Sequence, residues 1–124
     1  MWSKTGPVAE NMLHREIYER LKTFAKQEQI TTYSEIAPLA NLDMENPDHR
    51  GEIGRLLGIV STFEHQDGRP LLSAIVVHRQ DNIPGEGFFE LARELGALRP
   101  SQDRLAFWCR EVARVHEAGA RDHD

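Results

Sequence analysis

The sequence predicts an α+β fold in a single domain, and three observations lead to that prediction. The most apolar stretch, residues 70–78, contains the β-branched run Ile75-Val76-Val77, as a strand buried on both faces does. Amphipathic helical patterns precede and follow this stretch, so they can cover both of its faces. The 124 residues are 40% hydrophobic and 28% charged, which is the composition of one ordinary globular domain of residues 1–124.

The N-terminal half is predicted to hold three helices and a short edge strand. The first helix covers residues 9–27, and the second covers residues 34–41 with Ser34 as its N-cap. The third covers residues 48–63, and residues 30–33 are long enough only for an edge strand. Their inward positions recur at three- and four-residue steps and comprise Leu13, Ile17, Leu21, Phe24, Ile36, Leu39, Ala40, Ile53, Leu56, Leu57 and Val60.

Three glycines, Gly51, Gly54 and Gly58, share one face of the third predicted helix. Each weakens the helix by up to about 1 kcal/mol relative to alanine. Small residues on one face allow the close approach of another backbone, which belongs either to a packed element or to a ligand. Packing against another element is the favoured interpretation.

Two further helices form a predicted C-terminal extension over about residues 86–118. One covers residues 88–95 and is closed by Gly96. The other follows Pro100, and the tail from about residue 118 is predicted to fray. The inward stripe of the last helix is predicted to be Leu105, Trp108, Cys109, Val112 and Val115.

The only cysteine, Cys109, is interpreted as a small buried hydrophobe, with a catalytic thiol as the alternative. A single cysteine excludes an intrachain disulfide and a thiolate-rich zinc site within one chain. No metal site and no cofactor are predicted.

The charge and hydropathy limit the classes of partner. The net charge is −5, which disfavours strong non-specific binding to nucleic acid, because that binding neutralises phosphates. Residues 1–30 hold five Lys or Arg against four Glu (+1), whereas residues 31–62 hold two Arg against five acids (−3). No window is apolar enough to span a membrane and the N-terminus lacks an apolar signal core, so a cytoplasmic location is expected.

The order helix, short strand, helix, turn, helix, strand is that of a winged helix. The phrase Thr31-Thr32-Tyr33-Ser34-Glu35-Ile36-Ala37 resembles the start of the DNA-binding domain of the alkylguanine DNA alkyltransferases and their alkyltransferase-like relatives. Ile53-Gly54-Arg55-Leu56-Leu57 is similar to the arginine-bearing recognition helix of that family. The resemblance covers about residues 12–85 and implies a winged-helix-like three-helix core with a short β-sheet, to which the C-terminal helices are added.

The active centre of that family is a Pro-Cys-His-Arg phrase, and this chain has Val76-Val77-His78-Arg79 instead. Without a thiolate there is no acceptor for an alkyl group, so alkyl transfer is not expected. A second, looser resemblance joins Leu57-Gly58, residues 69–77 and residues 83–88 to a small uncharacterised domain of bacterial restriction or nuclease-type genes. That resemblance implies a nucleic-acid setting and assigns no role to any residue.

The leading functional prediction is a non-enzymatic DNA-binding module. The third helix would be the recognition element, helix one would touch phosphates, and two arginines would lie at the wing. The residues predicted to contact double-stranded DNA are His49, Arg50 and Arg55 on the recognition helix, Arg15, Lys22 and Lys26 on helix one, and Arg69 and Arg79 at the wing.

Two alternatives stay open. The acidic middle segment favours a protein-interaction or oligomerisation domain, with Trp2, Phe107 and Trp108 as an apolar contact. A small hydrolase- or nuclease-like enzyme would depend on His78 and Glu64. A nuclease core needs clustered carboxylates with a lysine, and the chain's lysines, Lys4, Lys22 and Lys26, all lie near the N-terminus.

Polar groups near the apolar stretch have a chemical and a structural interpretation. His78 ends the predicted strand, where it would act as a base or ligand, or would reach solvent or a backbone carbonyl. Pro84-Gly85-Glu86-Gly87 opens a helix, where it would hold an anion or form a tight turn. His65, Asp67 and His78 lack the spacing of a metal-ligand motif.

Overall fold

The computed structural model describes residues 7–121, so the predicted roles of Trp2 and Lys4 lie outside the described residues. Within this range, five α-helices and two short strands form the predicted α+β fold. The elements are α1 (Arg15–Lys26), β1 (Thr31–Thr32), α2 (Tyr33–Ile36), α3 (Pro47–Gln66), β2 (Val76–Val77), α4 (Glu86–Glu94) and α5 (Arg104–Arg121), with 3₁₀ turns at Glu10–Met12, Ala37–Ala40 and Leu72–Ile75.

The central segment, residues 71–77, is buried throughout, as predicted, but it does not form the predicted strand. Leu72–Ile75 is a 3₁₀ turn, and only Val76–Val77 is extended. These two residues pair in parallel with β1, with Thr31 opposite Val76. The prediction of a strand over residues 70–78 was therefore wrong in conformation and right in burial.

Side chains of α5 replace the sheet partners that the central segment lacks. The backbone N–H of Leu71 donates to the Glu111 carboxylate at 2.7 Å. The carbonyl of Ala74 accepts a hydrogen bond from the Trp108 indole at 2.8 Å. A buried backbone group without a partner is costly, so these bonds allow a non-sheet conformation in the core.

The predicted inward stripe of the last helix was partly right, since Val115 is buried and Trp108 and Val112 pack against the core. Phe107, Glu111 and Val115 are the buried positions of α5, and they recur at four-residue steps. Leu105 is 45% exposed and Cys109 is exposed rather than buried. The helix is rotated from the expected orientation because Glu111 faces inward to hold the central segment.

The three helices predicted for the N-terminal half are present, with shifted ends. The second begins earlier than expected, because the Thr32 hydroxyl, not Ser34, caps it by accepting the Glu35 N–H at 3.2 Å. It then tightens into the 3₁₀ turn Ala37–Ala40, which contains Pro38. The C-terminal helix, predicted to fray from about residue 118, continues to Arg121.

Gly119 on α5 lies against the backbone of α1, and its replacement by alanine is expected to lower the free energy of unfolding. A Cβ at this position would stand 2.7 Å from the Ala25 carbonyl carbon, so the helices must separate or the last turns of α5 must fray. Overpacking of this kind costs about 1–3 kcal/mol. Chemical denaturation measures the loss.

The matched control is Gly51→Ala in α3, where no neighbouring atom lies within 4 Å of the added Cβ. That substitution is expected to raise stability by about 0.5–1 kcal/mol through helix propensity. A gain of the same size at Gly119 would show that the two helices do not need this close contact.

Candidate functional site

A groove of about 760 Å³ runs between α3 and α4. One end lies at the edge of the two-stranded sheet, where Tyr33 follows β1 and His78 follows β2 directly. The strands are parallel, so the residues that follow their carboxyl ends meet at the same edge. We call this feature the α3–α4 groove.

The wall on α3 is an open glycine face. No neighbouring heavy atom lies within 4 Å of a Cβ built at Gly51 or Gly54, and at Gly58 the nearest atom is Leu91 Cδ2 at 3.9 Å. The favoured interpretation of these glycines, close packing against another element, was therefore wrong for Gly51 and Gly54. Their face is open to the groove.

The floor of the groove is mainly apolar, and its buried polar member, Ser73, is hydrogen-bonded to Ser61 at 2.7 Å. Four apolar side chains that line it are buried, namely Ile53, Leu57, Phe88 and Leu91. The Phe88 ring also contacts the Phe89 ring, with centroids 5.3 Å apart in an edge-to-face arrangement. The floor is therefore continuous with the hydrophobic core and does not need to rearrange to exist.

The charged groups of the groove lie on opposite helices. Arg50 and Arg55 line it from α3, and Glu90 and Glu94 line it from α4. Arg55 forms an ion pair with Glu52 on its own helix at 2.7 Å. That bond is the main cause of a raised pKa for Arg55.

Tyr33, His78 and Gly85 form a polar end of the groove, and Arg50 also lines the groove. The Tyr33 and His78 rings lie 4.7 Å apart between centroids, tilted by 42°. The N–H of Gly85, the N-cap of α4, donates to the Tyr33 hydroxyl at 2.9 Å. A Cβ at Gly85 would stand 3.1 Å from His78 Nε2, so a glycine keeps this end open.

Both tyrosines of the chain are expected to resist ionisation in the folded protein. Burial raises the pKa of Tyr33, helped by the negative charge of Asp81 and opposed by the Gly85 N–H. Burial also raises the pKa of Tyr18, with a further contribution from its hydrogen bond to Glu64. The unfolded chain releases these protons near pH 10, so stability falls as the pH rises above about 10.

The measurement is the tyrosinate absorbance of the folded protein and of the denatured chain across alkaline pH. Tyr33→Phe and Tyr18→Phe variants assign the two transitions. Equal titration of the folded and denatured samples would contradict the expected shift.

The residues predicted to contact DNA line different surface depressions. Arg50 and Arg79 line the same surface depression, of about 460 Å³. Lys22, Lys26 and Arg69 line a different crevice between α1 and α5. Five of the eight predicted residues are thus divided between two depressions.

Several of these residues already have partners. The ring of His49 accepts the Asp43 N–H at 3.0 Å, and Arg50 Nε donates to the Met44 carbonyl at 2.6 Å, so both hold the loop before α3. Three of the arginines pair with carboxylates, as Arg15–Glu10, Arg55–Glu52 and Arg69–Glu64. Of the predicted DNA contacts, Arg50, Lys26 and Arg79 have no ion pair within residues 7–121.

Glu64 and Asp67, which were considered for catalysis or metal binding, are held in hydrogen bonds and ion pairs. Both carboxylate oxygens of Glu64 are bonded, to Arg69 at 3.0 Å and to the Tyr18 hydroxyl at 2.8 Å. Asp67 pairs with Arg69 at 3.2 Å. Within residues 7–121, no three His, Cys, Asp or Glu side chains are placed to hold a metal ion.

The predicted apolar contact is not formed by its described members. Phe107 is 5% exposed and belongs to the core. Trp108 is half-buried, with its indole N–H hydrogen-bonded to the Ala74 carbonyl.

None of the helices in the described part of the chain is both long and apolar enough to cross a bilayer.

His78 was considered as a site residue from the sequence, whereas Tyr33 and the residues of α4 that line the groove were not. A signal for Tyr33 was present, since it follows a short strand as His78 does. The recurrence of Gly87, Leu91 and Glu94 at helical steps in α4 was the other signal. Neither signal shows that α3 and α4 leave a groove between them.

A scan of protein-family models and searches of curated proteins and of solved structures each find no match to this chain. The alkyltransferase-like and restriction-associated resemblances therefore stay predictions, and the groove is the feature from which a function can be argued.

Proposed function

We propose that this protein is a binding module whose α3–α4 groove receives a segment of a protein partner. The supporting observation is the open glycine face beside an apolar floor. Helix-lined apolar grooves are a recurring way to bind peptide segments. The volume of about 760 Å³ falls within the roughly 300–1,000 Å³ typical of ligand pockets.

The distribution of charge fits a protein partner. The centre of the groove is apolar, and its charged residues, Arg50, Arg55, Glu90 and Glu94, come from both walls. An apolar centre with a polar rim is the usual anatomy of a protein–protein interface. Glu90 and Glu94 on one wall disfavour an approach of nucleic acid along the full length of the groove.

A random peptide library selected against the protein tests the proposal. Gly54→Phe places a large side chain where the structure has open space, and it is expected to weaken the selected peptides at least tenfold. Ala113→Phe adds the same ring at an exposed position of α5 and is the matched control. Peptides that bind Gly54→Phe as tightly as the unmodified protein would contradict the proposal.

A second candidate function is the binding of double-stranded DNA by a winged-helix-like arrangement. It is favoured by Arg50 and Arg79, which share a depression with Ser34 from the alkyltransferase-like phrase. The N-terminal half of α3 is largely exposed, so it can approach a duplex. A wing is ordinarily an antiparallel hairpin, whereas the sheet here is parallel, so this candidate depends on α3 and Arg79.

A shift assay on mixed-sequence duplex at low salt tests the second candidate. Binding is expected at tens of micromolar protein, since non-specific binders reach roughly 10⁻⁴ to 10⁻⁶ M. The Arg50→Gln/Arg79→Gln double variant is expected to lower the salt slope by about 2, because each phosphate contact contributes about 0.9. Arg121→Gln, paired with Glu117 at the end of α5, is the control. Absence of a shift would count against DNA binding.

A further inference from the structure

We infer that the polar end of the α3–α4 groove binds a carboxylate of the partner segment, from a chain terminus or from an Asp or Glu side chain. The inference rests on the proposed function, and it adds the chemical group that orients the segment. It is carried by the Tyr33 hydroxyl and the His78 ring, which both lie beside Gly85, and by Arg50, which lines the same groove.

Tyr33 has a proton available for a ligand. Its hydroxyl oxygen accepts the Gly85 N–H at 2.9 Å, and no residue in the described part of the chain accepts the hydroxyl proton. Burial raises the pKa of Tyr33, so the hydroxyl retains that proton at neutral pH. The group is therefore a fixed donor, oriented by the backbone of the α4 N-cap.

His78 and Arg50 supply further donors. The His78 ring contacts the Tyr33 ring at a tilt of 42°, and its ring nitrogens have no hydrogen-bond partner within residues 7–121. Arg50 uses Nε for the Met44 carbonyl, which fixes the arm and leaves its terminal amino groups without a carboxylate among the residues described. Neutral imidazole offers one N–H, and guanidinium offers several in a planar fork.

We place Arg50 at the end of the groove that holds Tyr33 and His78. It lines both the groove and the neighbouring depression. The depression is also lined by Ser34 and Arg79, the chain neighbours of Tyr33 and His78. Tyr33 at the start of α2, His78 after β2 and Arg50 on α3 therefore lie in one region of the surface.

A carboxylate fits this donor set better than a neutral carbonyl. Its two oxygens offer about four lone-pair sites, and hydrogen bonds to an ionised acceptor are roughly twice as strong as neutral ones. The neighbouring depression is lined by two arginines, Arg50 and Arg79, and by one carboxylate, Glu45. Asp81 is the other carboxylate near Tyr33, and it accepts the Ile83 N–H at 3.2 Å.

Two probes that differ only in the terminal group test the inference: N-acetyl-leucine and N-acetyl-leucine amide. NMR titrations of the full chain follow the His78 ring and the Gly85 amide. The acid is expected to shift both signals in the millimolar range, and the amide is expected to bind at least tenfold more weakly. Tyr33→Phe is expected to weaken the acid at least fivefold and leave the amide unchanged. Arg50→Gln is expected to weaken the acid as well, and Lys26→Gln, outside the groove, is the control for its loss of positive charge.

The outcomes separate this inference from the proposed function. If library peptides occupy the groove but keep their affinity after amidation and removal of their acids, the carboxylate inference is overturned and the groove function stands. If inorganic phosphate moves the same signals more strongly than the acid, the inference is overturned in favour of DNA. If neither probe nor any peptide moves signals of the groove, both the inference and the groove function fail.

Discussion

Replacement of Phe89 by alanine is expected to lower the free energy of unfolding by about 3–5 kcal/mol. Phe89 is fully buried, at 0% exposure. Its ring packs edge-to-face on Phe88, and the Arg104 guanidinium lies 4.5 Å from its centroid. The truncation removes these contacts and leaves a cavity between α4 and α5. Because domains are stable by only about 5–15 kcal/mol, the loss is a large share of the total.

Equilibrium unfolding in urea or guanidinium measures this effect. Phe89→Leu keeps much of the volume, so it is expected to lose markedly less than the alanine variant. Leu105→Ala removes a side chain that is 45% exposed and is expected to change stability by about 0.5 kcal/mol or less. Similar losses for Phe89→Ala and Leu105→Ala would show that Phe89 does not hold α4 against α5.

The burial of the central segment was predictable from its sequence, and its conformation was not. A run of apolar residues indicates removal from water, but not where its backbone hydrogen bonds go. Here they go to side chains far along the chain: Glu111 is 40 positions from Leu71, and Trp108 is 34 positions from Ala74. No local pattern records a partner at such a distance.

The same cause explains the error in α5. Leu105 and Cys109 were expected inward because they are apolar, whereas the structure buries Glu111. A carboxylate on a helix is usually solvated, and here the Leu71 N–H and the Arg114 guanidinium at 2.8 Å make its burial favourable. Amphipathic spacing therefore predicted a helix here but gave the wrong orientation about its axis.

The candidate site was predictable only in part. His78 was a candidate because it ends a predicted strand, and the spacing of the glycines identified one face of α3. Whether that face is packed or open depends on the position of α4, and the structure leaves Gly54 uncovered. Tyr33 was interpreted as part of a helix-opening phrase, and its proximity to His78 follows from the parallel pairing of the two strands.

Replacement of Arg69 by methionine is expected to lower the free energy of unfolding by about 2–4 kcal/mol, because it leaves a buried carboxylate without its cation. The Glu64 side chain is only 6% exposed, and Arg69 donates to both of its oxygens at 3.0 Å. That hydrogen bonding also raises the pKa of Arg69. Breaking such a pair costs about 3–5 kcal/mol when both partners are buried. Arg69 is 38% exposed, so water reduces the cost.

A double-mutant cycle with Glu64→Leu separates the ion pair from the packing of its partners. The Arg69→Met/Glu64→Leu variant is expected to recover part of the loss, since an apolar pair can replace a buried ion pair. Tyr18 then lacks the acceptor that it uses at 2.8 Å, so adding Tyr18→Phe is expected to recover more. Arg15→Met, which breaks exposed pairs with Glu10 and Glu19, is expected to cost about 0–1 kcal/mol.

The Arg69–Glu64 pair lies next to the start of the central segment. Arg69 closes the turn after α3, where its N–H donates to the Glu64 carbonyl at 3.0 Å, and the central segment begins two residues later. Loss of the pair is therefore expected to expose the Leu71 amide to hydrogen exchange ahead of global unfolding. If Arg69→Met costs no more than Arg15→Met and the Leu71 amide stays protected, this turn does not fix the start of the central segment.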